Sequence, residues 1–152
     1  MAGAKDSPRS NAALARGLRL RLRWTHVFRG ERKGGKLRGY HHEGRRPRHP
    51  LTPGTIGAAK PSGVYEARWT GFGIISTATW GGKYSTFFPN GWSQEKVEEA
   101  IRRVAGSCLL RNLLTPGYKG SWLFRGRVFG VIVRGALSPS KKTIMTSFPE
   151  YT

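Results

Sequence analysis

The sequence predicts an α+β fold, in which an N-terminal helical or loop segment leads into a mainly antiparallel sheet with one amphipathic helix packed on it. Three observations carry this expectation. Only the segment after Trp92 strongly repeats its apolar residues with the period of a helix. Six other runs are rich in aromatic and β-branched residues and are bounded by Gly, Pro or Ser-Pro. No internal repeat is present.

Taken in order, the N-terminal part is ambiguous. Leu18, Leu20 and Leu22 alternate with Arg19, Arg21 and Arg23, as in a strand, whereas Leu14, Leu18 and Leu22 also share one side of a helix. Residues 1–22 are read as a basic N-terminal segment or linker, and 23–152 as one domain. From Gly30 to Pro53 the chain is dense in Gly, Pro, His and Arg and has almost no large apolar residue, which predicts a loop. A loop of that length inside a small domain is usually functional or disordered. Strands are expected at Val64–Thr70, Phe72–Trp80, Tyr84–Phe88, Ser121–Phe124, Arg127–Arg134 and Thr143–Phe148.

The helix has a complete set of local signals. Ser93 suits the N-cap, Glu95 stands in the first turn where the helix dipole favours negative charge, and Val97, Ala100, Ile101, Val104 and Ala105 form the apolar stripe. Glu98 with Arg102 and Glu99 with Arg103 make i, i+4 pairs on the side expected to face solvent, and Gly106 is the expected C-terminal stop. The Ser107–Gly120 stretch, with Leu109, Leu110, Leu113 and Leu114, reads as a short extra helix or a contact surface.

Charge narrows the function. The chain carries 27 Lys+Arg against 8 Asp+Glu, a net charge of +19 over 152 residues, and so calls for a polyanionic partner. Residues 1–50 are the more basic part, with 14 Lys+Arg and 3 Asp+Glu. The longest uncharged stretch, Trp69 to Gly82, is interrupted by Gly and Thr and falls short of the ~20 apolar residues of a membrane helix, so no membrane partner is expected. Cys108 is the single cysteine, which excludes an internal disulfide and a cysteine-based metal site. No secretory signal is visible at the N-terminus.

All four histidines, His26, His41, His42 and His49, lie within the basic third. A histidine pair beside a polyanion site suits cleavage of RNA by its own 2′-hydroxyl. One imidazole takes the 2′ proton, another protonates the 5′ leaving oxygen, and a donor or cation steadies the phosphoryl oxygens. The nucleophile is already in the substrate, so neither a metal nor another cofactor is expected. Few carboxylates beyond Glu31 and Glu43 stand near the histidines to complete a metal site. The plain alternative is that the histidines are solvated loop residues.

Four blocks carry a family resemblance. The string His26-Val-Phe-Arg-Gly-Glu31, followed by Gly39-Tyr40-His41-His42-Glu43-Gly44, resembles the two-histidine region of bacterial EndoU-type ribonucleases. Gly63-Val-Tyr-Glu-Ala-Arg68 resembles the strand that follows it. Ser85-Thr-Phe-Phe-Pro-Asn-Gly-Trp-Ser-Gln-Glu95 is similar to the lead-in to their amphipathic helix, and Thr146-Ser-Phe-Pro-Glu-Tyr151 to their closing motif. The blocks keep the family order from about Arg23 to Thr152. The resemblance implies an EndoU/barnase-like fold and an active site of His26, one of His41 and His42, a hydroxyl at Thr146, and Tyr151. His41 and His42 are adjacent, so in an extended segment they point to opposite faces and only one enters the site. The sequence alone leaves both open.

Arg45, Arg46 and Arg48, just after the histidine cluster, are candidate RNA contacts, as are Lys141 and Lys142 ahead of Thr146. Trp69, Trp80, Trp92, Trp122 and Phe124 could stack on bases, although aromatics in small-domain strands are more often core. The resemblance further implies the C-terminal toxin domain of a polymorphic or contact-dependent inhibition system. Such a domain is delivered as part of a larger parent protein, cuts RNA, often tRNA, in the cytoplasm of a target cell to leave 2′,3′-cyclic phosphate ends, and is restrained by an acidic immunity protein. The competing class is a non-enzymatic basic RNA-binding protein, which fits the charge and aromatics equally well.

Overall fold

The computed structural model describes residues 6–33, 36–44, 47–72, 74–75 and 84–152. The chain divides into two compact units, the first made of residues up to Arg23 together with Glu95–Ser147, the second of Trp24–Gln94 together with Phe148–Thr152. Among the described residues, three α-helices accompany mostly antiparallel strands, and no helix is long and apolar enough to cross a membrane.

In the first unit, helix α1 (Asn11–Leu18) begins at Ser10, whose hydroxyl accepts the Ala13 N–H at 3.0 Å. This is the N-cap bond that isolated helix starts lack. Past Leu18 the chain turns, with the Leu20 N–H donating to the Gly17 carbonyl, and enters strand β1 (Arg21–Leu22). The ambiguous leucines are thus divided: Leu14 and Leu18 are helical, Leu22 is in a strand. Helix α3 (Gln94–Leu110) buries Val97, Ala100, Ile101, Val104 and Ala105, the stripe expected from its periodicity.

Gly106 does not end that helix. It is a contact residue, because a Cβ there would stand 1.9 Å from the Ala13 carbonyl oxygen, and one at Gly17 would stand 2.0 Å from that of Arg102. Two glycines therefore let the backbones of α1 and α3 touch, and α3 runs on to Leu110, with Leu113 N–H closing onto the Cys108 carbonyl at 2.9 Å. Ser107–Gly120 consequently holds the end of α3, strand β8 (Thr115–Pro116) and a single 3₁₀ turn at Tyr118–Gly120, not a separate helix. The paired Glu98–Arg102 and Glu99–Arg103 are present at 3.1 and 3.4 Å. Their arginines do more than face solvent: Arg102 donates to the carbonyls of Gly17 and Leu20, and Arg103 to those of Arg9 and Ser10, which ties α3 to the backbone at both ends of α1.

The five-stranded sheet has the order β1-β11-β10-β9-β8, with β9 at Trp122–Val128, β10 at Val131–Leu137 and β11 at Thr143–Pro149. β1 runs parallel to β11, pairing Arg21 with Thr143, while β9 and β10 form a hairpin. Its turn is Phe129-Gly130, both at positive φ (50° and 77°), the backbone that matches strand twist in a two-residue hairpin. The sequence predicts a break at 125–126 and a strand through 129–130, and the structure differs at both. Gly126 instead continues the strand, since a Cβ there would meet Val104 of α3 at 3.0 Å.

In the second unit, short helix α2 (Trp24–Phe28) precedes the ribbon β2 (Glu31–Lys33) and β3 (Lys36–Arg38). The expected loop from Gly30 thus starts as a hairpin and becomes irregular only after Arg38. Leu37 and Tyr40, from that polar stretch, join Tyr65, Ala67, Trp69 and Phe87 in the unit's core. Strands β4 (Tyr65–Ala67) and β7 (Ser85–Phe87) pair antiparallel, as do β5 (Thr70–Gly71) and β6 (Ile74–Ile75). The expected strands Val64–Thr70 and Tyr84–Phe88 are shorter than drawn, and most of Phe72–Trp80 lies outside the described residues.

Candidate active site

The second unit brings two histidines together through main-chain contacts. Tyr40 N–H donates to the His26 carbonyl at 2.8 Å and His41 N–H to that of Val27 at 2.7 Å, which lays residues 40–41 along α2. Gly39 makes this possible. It sits at φ +76°, and a Cβ there would stand 2.0 Å from the His26 carbonyl oxygen. Tyr40 itself is held at φ 66°, a conformation that costs a bulky residue free energy and is met chiefly where surrounding structure enforces it. Its ring, fully buried against Trp69, Phe87 and His49, supplies that enforcement.

The rings of His26 and His41 are 6.1 Å apart, centroid to centroid. His41 is 4 % exposed, and its Nδ1 lies 2.8 Å from the Thr86 carbonyl. A carbonyl only accepts, so Nδ1 carries the proton and Nε2 keeps its lone pair. Burial first, and the neighbouring His26 imidazole second, hold its pKa down to about 3 despite the bond to Thr86, so the ring is neutral near pH 7. On its other side, the Phe148 ring lies 5.6 Å away. His26 Nδ1 lies 3.5 Å from Glu31 Oε1, an ion pair whenever the imidazole carries its second proton.

His42 turns elsewhere. Its Nε2 donates to the Trp92 carbonyl at 2.8 Å and its ring meets the edge of Phe28. Burial lowers its pKa as well, against the opposing pull of the Trp92 bond. Beyond it, Tyr65 Oη donates to Glu43, and burial first, with that bond second, pushes the phenol well above its ordinary value.

A family model described as bacterial EndoU nuclease matches residues 21–151. The chain belongs to that family. No match is found among curated proteins or among solved structures. The EndoU match makes the chain an endoribonuclease, and it covers both histidine blocks, the strands and the closing motif.

The remaining candidates of the EndoU domain fall in several places. Tyr151 donates its hydroxyl to the Ala58 carbonyl at 2.7 Å, with the Lys60 ammonium 4.5 Å from its ring centroid. Thr146 is half-buried in β11 of the first unit, where a Cβ at Gly135 would stand 2.4 Å from its carbonyl oxygen. Lys141 and Lys142 occupy the turn before β11, and Arg48 is exposed. Arg45, Arg46 and Trp80 lie outside the described residues. Trp69 and Phe124 are buried, which removes them as base-stacking surfaces, while Trp92 and Trp122 are half-buried.

Two residues that contact the histidine pair, Glu31 and Thr86, were not expected there from the sequence. Glu31 stands in the sequence as the end of the first histidine block and as one of two nearby carboxylates, and Gly30 at φ +73° lets it fold back towards His26. Thr86 acts through its main-chain oxygen, so nothing in its side chain marks it.

Proposed function

We propose that the domain cleaves RNA by attack of the 2′-hydroxyl on the adjacent phosphodiester, with His41 as general base and His26 as general acid. His41 Nε2 takes the 2′ proton while the 2′ oxygen bonds to phosphorus. The P–O5′ bond breaks, and His26 gives its proton to the departing 5′ oxygen. The products are a 2′,3′-cyclic phosphate and a 5′-hydroxyl, and proton exchange with water restores both imidazoles. The observation that carries this reading is the facing His26–His41 pair, one member held neutral with Nε2 bare and the other beside a carboxylate that balances its charged form. General acid–base groups of this kind are each worth about 10²–10⁴-fold.

His42, engaged with Trp92 and Phe28, supports the wall of the site rather than the chemistry in this reading. Thr146 is assigned a hydroxyl contact to a phosphoryl oxygen on the strength of the closing motif. Tyr151 is assigned the positioning of that motif, because its hydroxyl is already bound to Ala58. Arg45, Arg46, Arg48, Lys141 and Lys142 supply phosphate contacts. The domain acts as a toxin on RNA, with tRNA the leading target, after delivery by a larger parent protein into the cytoplasm of another cell. Its charge of +19 suits an acidic immunity protein as well as RNA.

Incubation of the purified chain with total tRNA in excess EDTA tests the reading. Fragments ending in 2′,3′-cyclic phosphate are expected; intact tRNA, or fragments ending in 3′-hydroxyl, would contradict it.

A further inference from the structure

We propose that a cationic concavity built wholly from first-unit residues binds the sugar-phosphate backbone of RNA. Arg16 in α1, Arg19 just past it, Arg21 in β1, and Ser140, Lys141 and Lys142 in the β10–β11 turn line a hollow of about 520 Å³. Five cations and a hydroxyl line it together with Leu20, and among the described residues no carboxylate does. Among the described residues none of the five cations is in an ion pair. Like charges gathered in one hollow raise a strong positive potential and are relieved when an anion enters.

The hollow is held in shape before any ligand arrives. Arg102 clamps the Gly17 and Leu20 carbonyls behind it. Arg21 N–H donates to the Lys142 carbonyl at 2.9 Å, and Lys141 N–H to that of Ser138 at 2.8 Å. Ser138 Oγ accepts from the main-chain N–H groups of Lys142 and Thr143. The Lys141 ammonium rests 4.3 Å from the Trp122 ring centroid, which fixes a side chain that is otherwise free. A fixed backbone leaves only the side chains to be ordered on binding, so more of the Coulomb attraction is kept as affinity. Guanidinium forks match phosphate oxygens in pairs. A concavity within the size range of small-ligand sites takes a nucleotide's phosphate and sugar more readily than the convex surface of an acidic protein.

The proposal rests on RNA being the substrate, but not on the histidine chemistry, and its test needs no cleavage. The probe is a 2′-O-methyl RNA oligonucleotide, which lacks the nucleophile and stays intact. Its affinity is measured by fluorescence anisotropy over a range of salt, for the wild type and for the triple variant Arg19→Ala, Arg21→Ala, Lys142→Ala. These side chains are exposed, and thermal melting checks that the fold is kept. The triple variant is expected to bind about tenfold or more weakly, and the slope of log K against log salt to flatten by about 2, at about 0.7 per lost contact to a single strand. Lysine replacements at Arg19 and Arg21 should restore most of the slope. Unchanged affinity and slope overturn the proposal, as does failure of the wild type to bind the probe. Unchanged RNA binding with lost binding of poly-glutamate overturns it in favour of an acidic protein partner. Absence of cyclic-phosphate products would count against the histidine mechanism and leave this result standing.

Discussion

His41 donates its Nδ1 proton to the main-chain carbonyl of Thr86 at 2.8 Å, and that one bond fixes which nitrogen is bare. Its main chain is fixed as well, the N–H on Val27 and the carbonyl accepting from Phe88 N–H at 2.8 Å. The residue is therefore held at three points, the geometry that the proposed role as general base requires.

Burial of that neutral imidazole has a consequence for stability. Below the ordinary value of 6.5, the unfolded chain takes up a proton at position 41 that the folded chain refuses until about 3. The unfolded state binds more protons throughout that window, so stability is full above pH 6.5 and falls as pH is lowered towards 3. The lowered pKa of His42 acts in the same direction. One such proton gives a slope of up to about 1.4 kcal/mol per pH unit. Urea midpoints measured from about pH 7.5 down to 4.5 should fall, and His41→Gln should make the fall shallower; a flat or rising wild-type profile contradicts the buried neutral ring.

Gly106→Ala sets two effects against each other. Alanine in a helix interior is favoured over glycine by about 1 kcal/mol, yet its Cβ would stand 1.9 Å from the Ala13 carbonyl oxygen. Separation of α1 from α3 should win, lowering stability by about 2 kcal/mol or more. Calorimetry decides the sign, and a raised melting temperature would show that the helices do not touch there.

Much of this was legible in the sequence, and the failures have physical reasons. The α3 stripe, the closing strand and the histidine blocks follow from periodicity and from motif. Gly106 was misread as a stop because local rules treat a helical glycine as a cap, while here packing between helices chose it. The hairpin at Glu31–Lys33 and Lys36–Arg38 was missed because its residues are mostly charged and face solvent, leaving Leu37 as the sole buried anchor. The different surroundings of His41, on the Thr86 carbonyl beside His26, and of His42, on the Trp92 carbonyl, come from long-range contacts. Adjacent residues of one type carry no such signal.

Glu31→Gln should separate positioning from folding. Loss of the carboxylate removes the counter-charge 3.5 Å from His26, so kcat should fall by about tenfold or more while affinity for uncleavable RNA holds. Glu31→Asp should restore part of the rate. Loss of binding in step with kcat would assign Glu31 to RNA contact or to the fold.

Tyr151→Phe removes one hydrogen bond, to Ala58, and keeps the ring beneath Lys60. The expected cost is about 1 kcal/mol of stability, with cleavage reduced by no more than a few-fold at a temperature where the variant is folded. A rate loss of several orders of magnitude in a stable variant would instead place the hydroxyl in the chemistry.

The central claim is that His26 and His41, and not His42, perform the proton transfers. Single-turnover cleavage of one RNA by His41→Ala and His42→Ala, each paired with its affinity for the 2′-O-methyl analogue, tests it most directly. His41→Ala should lose several orders of magnitude in rate and keep its affinity, while His42→Ala should lose stability yet cleave within about tenfold of wild type once folded. The reverse pattern, with His42→Ala inactive and His41→Ala active, would contradict the account.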